Sequence, residues 1–208
     1  MNIIGHRKIK HRIGTYYVSN TYNLLYIPIP KNASQYATGY FRDVLKWRIH
    51  CDESIRQLDH GYFRIWSCTK HQRKIVILQD PLTRWIKGIS QFAETVLPNL
   101  DTNNDELLKF LYTHIDFDDH TTPQVNFIHN LDTDDIDFFN LDENLELNLN
   151  TYLASKIPNE YIVIPDNLYK NETTEYSRKY LLRNKLESII SNDDSIKQKI
   201  IMWTITNY

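Results

Sequence analysis

The sequence predicts an α/β fold, a single domain over residues 1–208 in which a central parallel sheet is flanked by helices. Three stretches carry that expectation. Tyr22 to Ile29 (YNLLYIPI) is almost continuously apolar and rich in β-formers, as a strand buried on both faces should be. Lys74 to Leu78 (KIVIL) repeats the pattern and runs straight into Asp80-Pro81, the punctuation of a helix start. Glu160 to Ile164 (EYIVI) gives a third buried strand, with a charged amphipathic stretch after it.

The elements follow in order. After Pro30, the spacing of Tyr36, Tyr40, Val44 and Trp47 predicts a helix over Gln35 to Ile49. Gly61 to Trp66 reads as a short strand. Beyond Asp80-Pro81, a helix places Trp85, Ile89, Phe92 and Val96 on one face and stops near Pro98. Leu107, Leu108, Leu111 and Ile115 mark a helix over Asn104 to His114. Asp135 to Asn140 is a strand, Leu141 to Leu153 a helix, and Tyr176 to Ile190 a helix with a charged outer face.

Composition bounds the function classes. With 41% apolar residues in 208, the chain can bury one sizeable core, and 12% aromatic residues, 14 of them Tyr, exclude intrinsic disorder. No apolar run approaches the roughly 20 residues of a membrane span, and Met1 to Thr15 is charged where a signal peptide is apolar; the expectation is a soluble cytoplasmic protein without a membrane span. Cys51 and Cys68 make neither a disulfide framework nor a zinc site, and no metal is expected. The net charge of -2 hides a segregation: residues 1–91 hold 15 Lys or Arg against 5 Asp or Glu, whereas residues 101–146 hold 13 Asp or Glu and one basic residue, Lys109. One part of the surface suits an anion, but the basic residues form no dense run, so a nucleic-acid partner is not expected.

The most informative stretch is Tyr26 to Ser34 (YIPIPKNAS), which sets a lysine and small residues between a buried strand and a helix start. Orphan amides, the helix dipole and the Lys31 ammonium all favour an anion there. The nucleotide-triphosphate signature GxxxxGK[ST] is absent. Read alone, Pro30 to Ser34 is more readily an ordinary connecting turn.

The IPKNAS loop after an apolar strand resembles the 5′-phosphosulfate loop of sulfotransferases that use 3′-phosphoadenosine-5′-phosphosulfate (PAPS). Residues 75–90 (IVILQDPLTRWIKGIS) are similar to that family's 3′-phosphate segment, RDPxxRxxS, in the carbohydrate-type branch. Residues 118–128 (DDHTTPQVNFI) resemble its histidine and Pro-Gln segment. These motifs, in order, cover residues 22 to 165. The resemblance implies a nucleotide-kinase-like phosphate loop after the first core strand, with PAPS as cofactor and adenosine 3′,5′-bisphosphate as product. It also implies a hydroxyl-bearing acceptor, a saccharide by branch. The cofactor-binding residues would be Pro30, Lys31, Asn32, Ala33, Ser34, Gln35, Gln79, Arg84 and Lys87.

The chain departs from the family at two positions. Gln79 replaces the arginine before Asp-Pro, and Lys87 replaces the serine eight positions on. Lysine restores one positive charge after a bidentate arginine is lost; the swap either compensates or marks a changed cofactor preference or a decayed site. Gln35 and Tyr36 stand where small hydroxyl residues are common in the family. Arg84, four residues after Asp80, either contacts phosphate or pairs with that carboxylate.

By the same resemblance, Lys31 would stabilise charge on the leaving oxygen and His120 would be the base for the acceptor hydroxyl, with Asp118 and Asp119 orienting it or one of them replacing it. Two readings stand: a PAPS-dependent sulfotransferase, or a catalytically decayed module of that fold binding an anionic ligand or partner.

Overall fold

The computed structural model describes residues 15–51, 72–96, 104–115, 120–128, 131–158 and 177–206. The chain divides into two compact units, Met1–Gln79 with Asn126–Lys170, and Asp80–Val125 with Asn171–Tyr208.

The first unit is built on five strands: β1 (Thr15–Ser19), β2 (Leu24–Ile27), β3 (Arg48–Cys51), β4 (Arg73–Leu78) and β5 (Ile136–Asn140), in the order β3-β1-β2-β4-β5. β2, β4 and β5 are parallel, with Tyr26 opposite Ile75 and Ile77 opposite Phe139. β1 runs antiparallel to both β2 and β3. The sheet is therefore mixed where the sequence pattern predicts a parallel one. The cause is the connection from Ser19 to Leu24, too short for the crossover that parallel strands need; it closes as a hairpin, with Asn23 at a φ of 54°.

Side chains alternate across this sheet as the pleat requires. Tyr17, Leu24, Tyr26, Ile75 and Ile77 belong to one buried cluster, while Tyr16, Val18, Leu25, Ile27 and Val76 belong to another. Burial on both faces explains why β2 and β4 read as unbroken apolar runs.

The helix predicted over Gln35 to Ile49 is broken into three pieces. α1 (Ser34–Gly39) continues as a π-helical turn, Tyr40–Val44, and the chain then becomes β3. In the wide turn the Leu45 amide donates to the Tyr40 carbonyl five residues back, and Lys46 reverses the backbone at a φ of 55°. The added residue rotates the buried face. Tyr36 and Val44, expected inside, are 41% and 40% exposed, whereas Ala37, Tyr40 and Phe41 are buried. Phe41 stacks on Tyr26 at 4.4 Å and meets Trp47 at 4.7 Å between ring centroids.

α4 (Leu145–Lys156) lays Leu145, Leu149 and Leu153 against the same cluster, on one helix face. A polar bracket ties it to the sheet: Arg73 of β4 grips Asp137 of β5 through two nitrogens, and the Tyr152 hydroxyl donates to the same carboxylate at 2.5 Å. Burial pushes the Asp137 carboxyl up, but the bonds from Arg73 and Tyr152 outweigh it and hold the group below its ordinary range.

The second unit is helical: α2 (Pro81–Val96), α3 (Asn104–Thr113), α5 (Arg178–Asn192) and α6 (Asp194–Thr206). Trp85, Ile89, Leu107, Leu111, Leu182, Leu186, Ile190, Ile196 and Ile200 form its core. Ser177 caps α5 by accepting from the Tyr180 amide. The strands predicted at Gly61 to Trp66 and Glu160 to Ile164 lie outside the described residues. Among the described residues no helix is long and apolar enough to cross a membrane.

Asp137→Asn should lower stability at neutral pH by about 1 kcal/mol, a modest figure because Arg73 is partly solvated. A carboxyl held low contributes above its unfolded pKa, so the deficit should shrink as pH falls below about 4. Parallel urea melts of parent and variant at pH 7 and pH 3 check this; equal deficits at both would contradict the charged bracket.

Candidate functional site

In the first unit, β2, β4 and β5 point their carboxyl ends toward one edge of the sheet, the edge where open α/β sheets bind ligands. β2 leads there into Pro28 to Ala33, β4 into Gln79, and β5 into Leu141, whose amide donates to the Leu78 carbonyl at 2.7 Å.

The β2–α1 connection has a specific build. The Asn32 amide donates to the Ile29 carbonyl at 3.1 Å, closing a turn with Pro30 and Lys31 in its middle. Proline fixes φ near about -65° at the first central position, and Lys31 takes a φ of 70° at the second, the pattern of a type II turn. Glycine is the usual residue there; a lysine carries steric strain. Ala33, the capping residue of α1, is also left-handed, at a φ of 54°, and makes no side-chain cap bond. Asn32 itself faces inward: it is fully buried, and its side-chain Nδ2 donates to the Ile77 carbonyl at 2.7 Å. It thereby fastens the loop to the end of β4. Pro30, Lys31, Ala33 and Ser34 are half-buried and Gln35 is exposed, so of the six loop residues singled out from sequence Asn32 alone is committed to the interior.

The remaining candidates belong to the second unit, apart from Gln79, half-buried at the end of β4. Asp80 caps α2, accepting from the Thr83 amide at 2.8 Å and the Thr83 hydroxyl at 2.7 Å, with Pro81 as first helical residue. Its carboxylate is thus engaged by the cap, and Arg84 reaches elsewhere. Arg84 is 2% exposed and donates Nη1 to the carbonyl of Thr122. Four residues on, Gly88 lies directly beneath His120: a Cβ on Gly88 would stand 2.3 Å from the His120 carbonyl oxygen. The structure therefore brings Arg84 and the His120 segment together. Thr121, Thr122 and Pro123 are buried, and His120 is half-exposed. Asp118 and Asp119 lie outside the described residues. Among the described residues there is no group of three or more His, Cys, Asp or Glu suited to a metal ion.

Lys87 sits half-buried on α2, near Arg183 and Glu187 of α5. Burial lowers its pKa to about 8, helped by the Arg183 charge and opposed by Glu187, which is itself bonded to Arg183 at 2.8 Å.

Gly88 and Thr122 are the participants that sequence reasoning passed over. A lone glycine inside the stripe of α2 was the available signal, since glycine in a helix interior costs about 1 kcal/mol relative to alanine and calls for a packing reason.

The folded chain binds the Lys87 proton less tightly than the unfolded chain, so stability attributable to this residue should rise as pH climbs from about 8 to 10.5. Lys87→Met should melt higher than the parent at pH 7 and lose that rise. Calorimetric melts across this range check it; a parent and variant with parallel pH profiles would contradict it. No family model, curated protein or solved structure matches this chain.

Proposed function

We propose that the chain is a sulfotransferase that moves a sulfuryl group from PAPS to an acceptor hydroxyl, with a saccharide as the acceptor class. The observation that carries the reading is the strained Lys31 turn at the carboxyl end of β2. Backbone strain is retained where the surrounding structure enforces it, and here it sets a cation beside a left-handed Ala33 and a helix start. Such a loop suits the sulfate and phosphate oxygens of a phosphosulfate.

Sulfuryl transfer runs in line between two oxygens, and the protein contributes positioning and charge stabilisation. The bond from sulfur to the bridging oxygen breaks as the bond from the acceptor oxygen forms. Lys31 stabilises the negative charge that collects on the departing bisphosphate. His120 takes the proton of the acceptor hydroxyl, a task suited to an imidazole whose unperturbed pKa is near ~6.5. Ser34 and the loop amides hold the 5′ end, with Pro30 and Ala33 shaping the backbone. Asn32 contributes by fixing the turn from behind, and Lys87 supplies charge for the 3′-phosphate.

Gln79 and Lys87 favour a second reading, in which the fold is kept as a binding module for an anion and the transfer is lost. Gln79 lacks charge, and Lys87 lies beside Arg183, whose charge disfavours its own, as well as beside Glu187.

Lys31 variants separate strain from charge. Lys31→Gly should leave stability equal or raise it by up to about 1 kcal/mol, because glycine accepts the left-handed backbone. The same variant should lose turnover by roughly 10²- to 10³-fold, the scale for removing one preorganised donor. Melting temperature and PAPS-dependent sulfation of a saccharide panel are the measurements. A Lys31→Gly chain that transfers at the parent rate would sink the assignment, and a parent that binds the bisphosphate but sulfates nothing would favour the binding module.

A further inference from the structure

We infer that Arg84 and Gly88 are positioning residues for His120, forming a two-point seat on one face of α2 for the segment that carries the imidazole; the inference rests on the reading above, in which His120 is the base. Residues four apart share a helix face, so both points address the same stretch of chain. At the first point, the Arg84 guanidinium is buried and bonded to the Thr122 carbonyl. It cannot shed its proton, so its burial demands acceptors, and a backbone carbonyl it holds is fixed in turn.

At the second point the fit is steric. A Cβ on Gly88 would lie 2.3 Å from the His120 carbonyl oxygen, 2.7 Å from the His120 carbonyl carbon and 3.2 Å from the Thr121 methyl. The first distance is about 1 Å shorter than nonbonded contact permits, and the obstacle is backbone, which cannot swing aside as a side-chain tip can. Any side chain at position 88 therefore moves His120. Thr121 is fully buried and Thr122 nearly so, which anchors the segment just beyond the imidazole.

The seat gives Arg84 a role distinct from phosphate binding and from pairing with Asp80. It also gives the helix a reason to carry glycine in its interior. A base must sit within hydrogen-bond reach of the proton it takes, and a misplacement of about 1 Å can lower turnover roughly 10²-fold.

The test uses the full chain and Gly88→Ala. The variant should keep the parent's far-ultraviolet circular dichroism, shift the NMR resonances of the His120 imidazole, and lower kcat by about 10²-fold while affinity for adenosine 3′,5′-bisphosphate stays at the parent value. Unmoved His120 resonances in a folded Gly88→Ala chain overturn the seat. Should the variant fail to fold, the parent decides: a nuclear Overhauser contact between the Gly88 α-protons and the Thr121 methyl is expected, and its absence overturns the seat. The two ideas fail separately, since a parent that sulfates no acceptor ends the sulfotransferase reading, whereas unmoved resonances end the seat whether or not the parent is active.

Discussion

The side-chain amide of Asn32 reaches from the loop after β2 to the Ile77 carbonyl near the end of β4, at 2.7 Å and out of contact with water. The geometry of the first unit's candidate loop depends on this bond. β2 and β4 are parallel neighbours, so their carboxyl ends emerge side by side, and Asn32 joins the two exits. Asn32 is held inward between two half-buried residues with left-handed backbone, Lys31 and Ala33. A buried amide with its donor engaged is costly to withdraw, about 1 to 3 kcal/mol for a group left unsatisfied, which is comparable to the strain of a lysine in that conformation. The anchored asparagine thereby maintains a lysine conformation that an isolated turn would abandon.

The second unit uses helix α2 in a related way. Its amino end is fixed by the Asp80 cap, and its interior offers one long cation and one bare backbone patch to the chain around His120. Trp85, between these two positions in sequence, is buried and donates its indole N–H to the Ile115 carbonyl at 2.9 Å, so the helix also holds the segment leaving α3. Within each unit, taken by itself, a buried group determines where a neighbouring stretch of backbone can stand.

Much of this was legible in the sequence where the local signal and the tertiary demand agree. The Asp80-Pro81 start of α2, the buried strands β2 and β4, and the leucine faces of α3 and α4 follow from capping chemistry and periodicity. The break after Gly39 was not legible, because an amphipathic stripe drawn at 3.6 residues per turn contains no sign of a π-helical turn; the aromatic packing of Phe41 against Tyr26 and Trp47 decides it. β1 and β3 were missed because short strands in a hairpin and at a sheet edge carry little periodicity. α6 was missed because the apolar residues of IKQKIIMWTIT are mostly β-branched, and among its described side chains Ile196 and Ile200 mark the buried face. At the site, the loop's position was legible and its mechanics were not. Nothing in the letters KNAS says that the asparagine turns inward, and nothing near Arg84 says that it reaches the Thr122 carbonyl.

In the function we propose, the loop fastened by Asn32 presents Lys31 to the phosphosulfate end of an adenine nucleotide. Calorimetric titration of the chain with adenosine 3′,5′-bisphosphate, beside the same titration of Asn32→Ala, tests it most directly. The parent should bind one to one, with affinity that weakens as salt is added, and a folded Asn32→Ala chain should bind more weakly even though that side chain faces the sheet. A parent that gives neither heat nor a rise in melting temperature with the bisphosphate, or an Asn32→Ala chain that binds as the parent does, would contradict it.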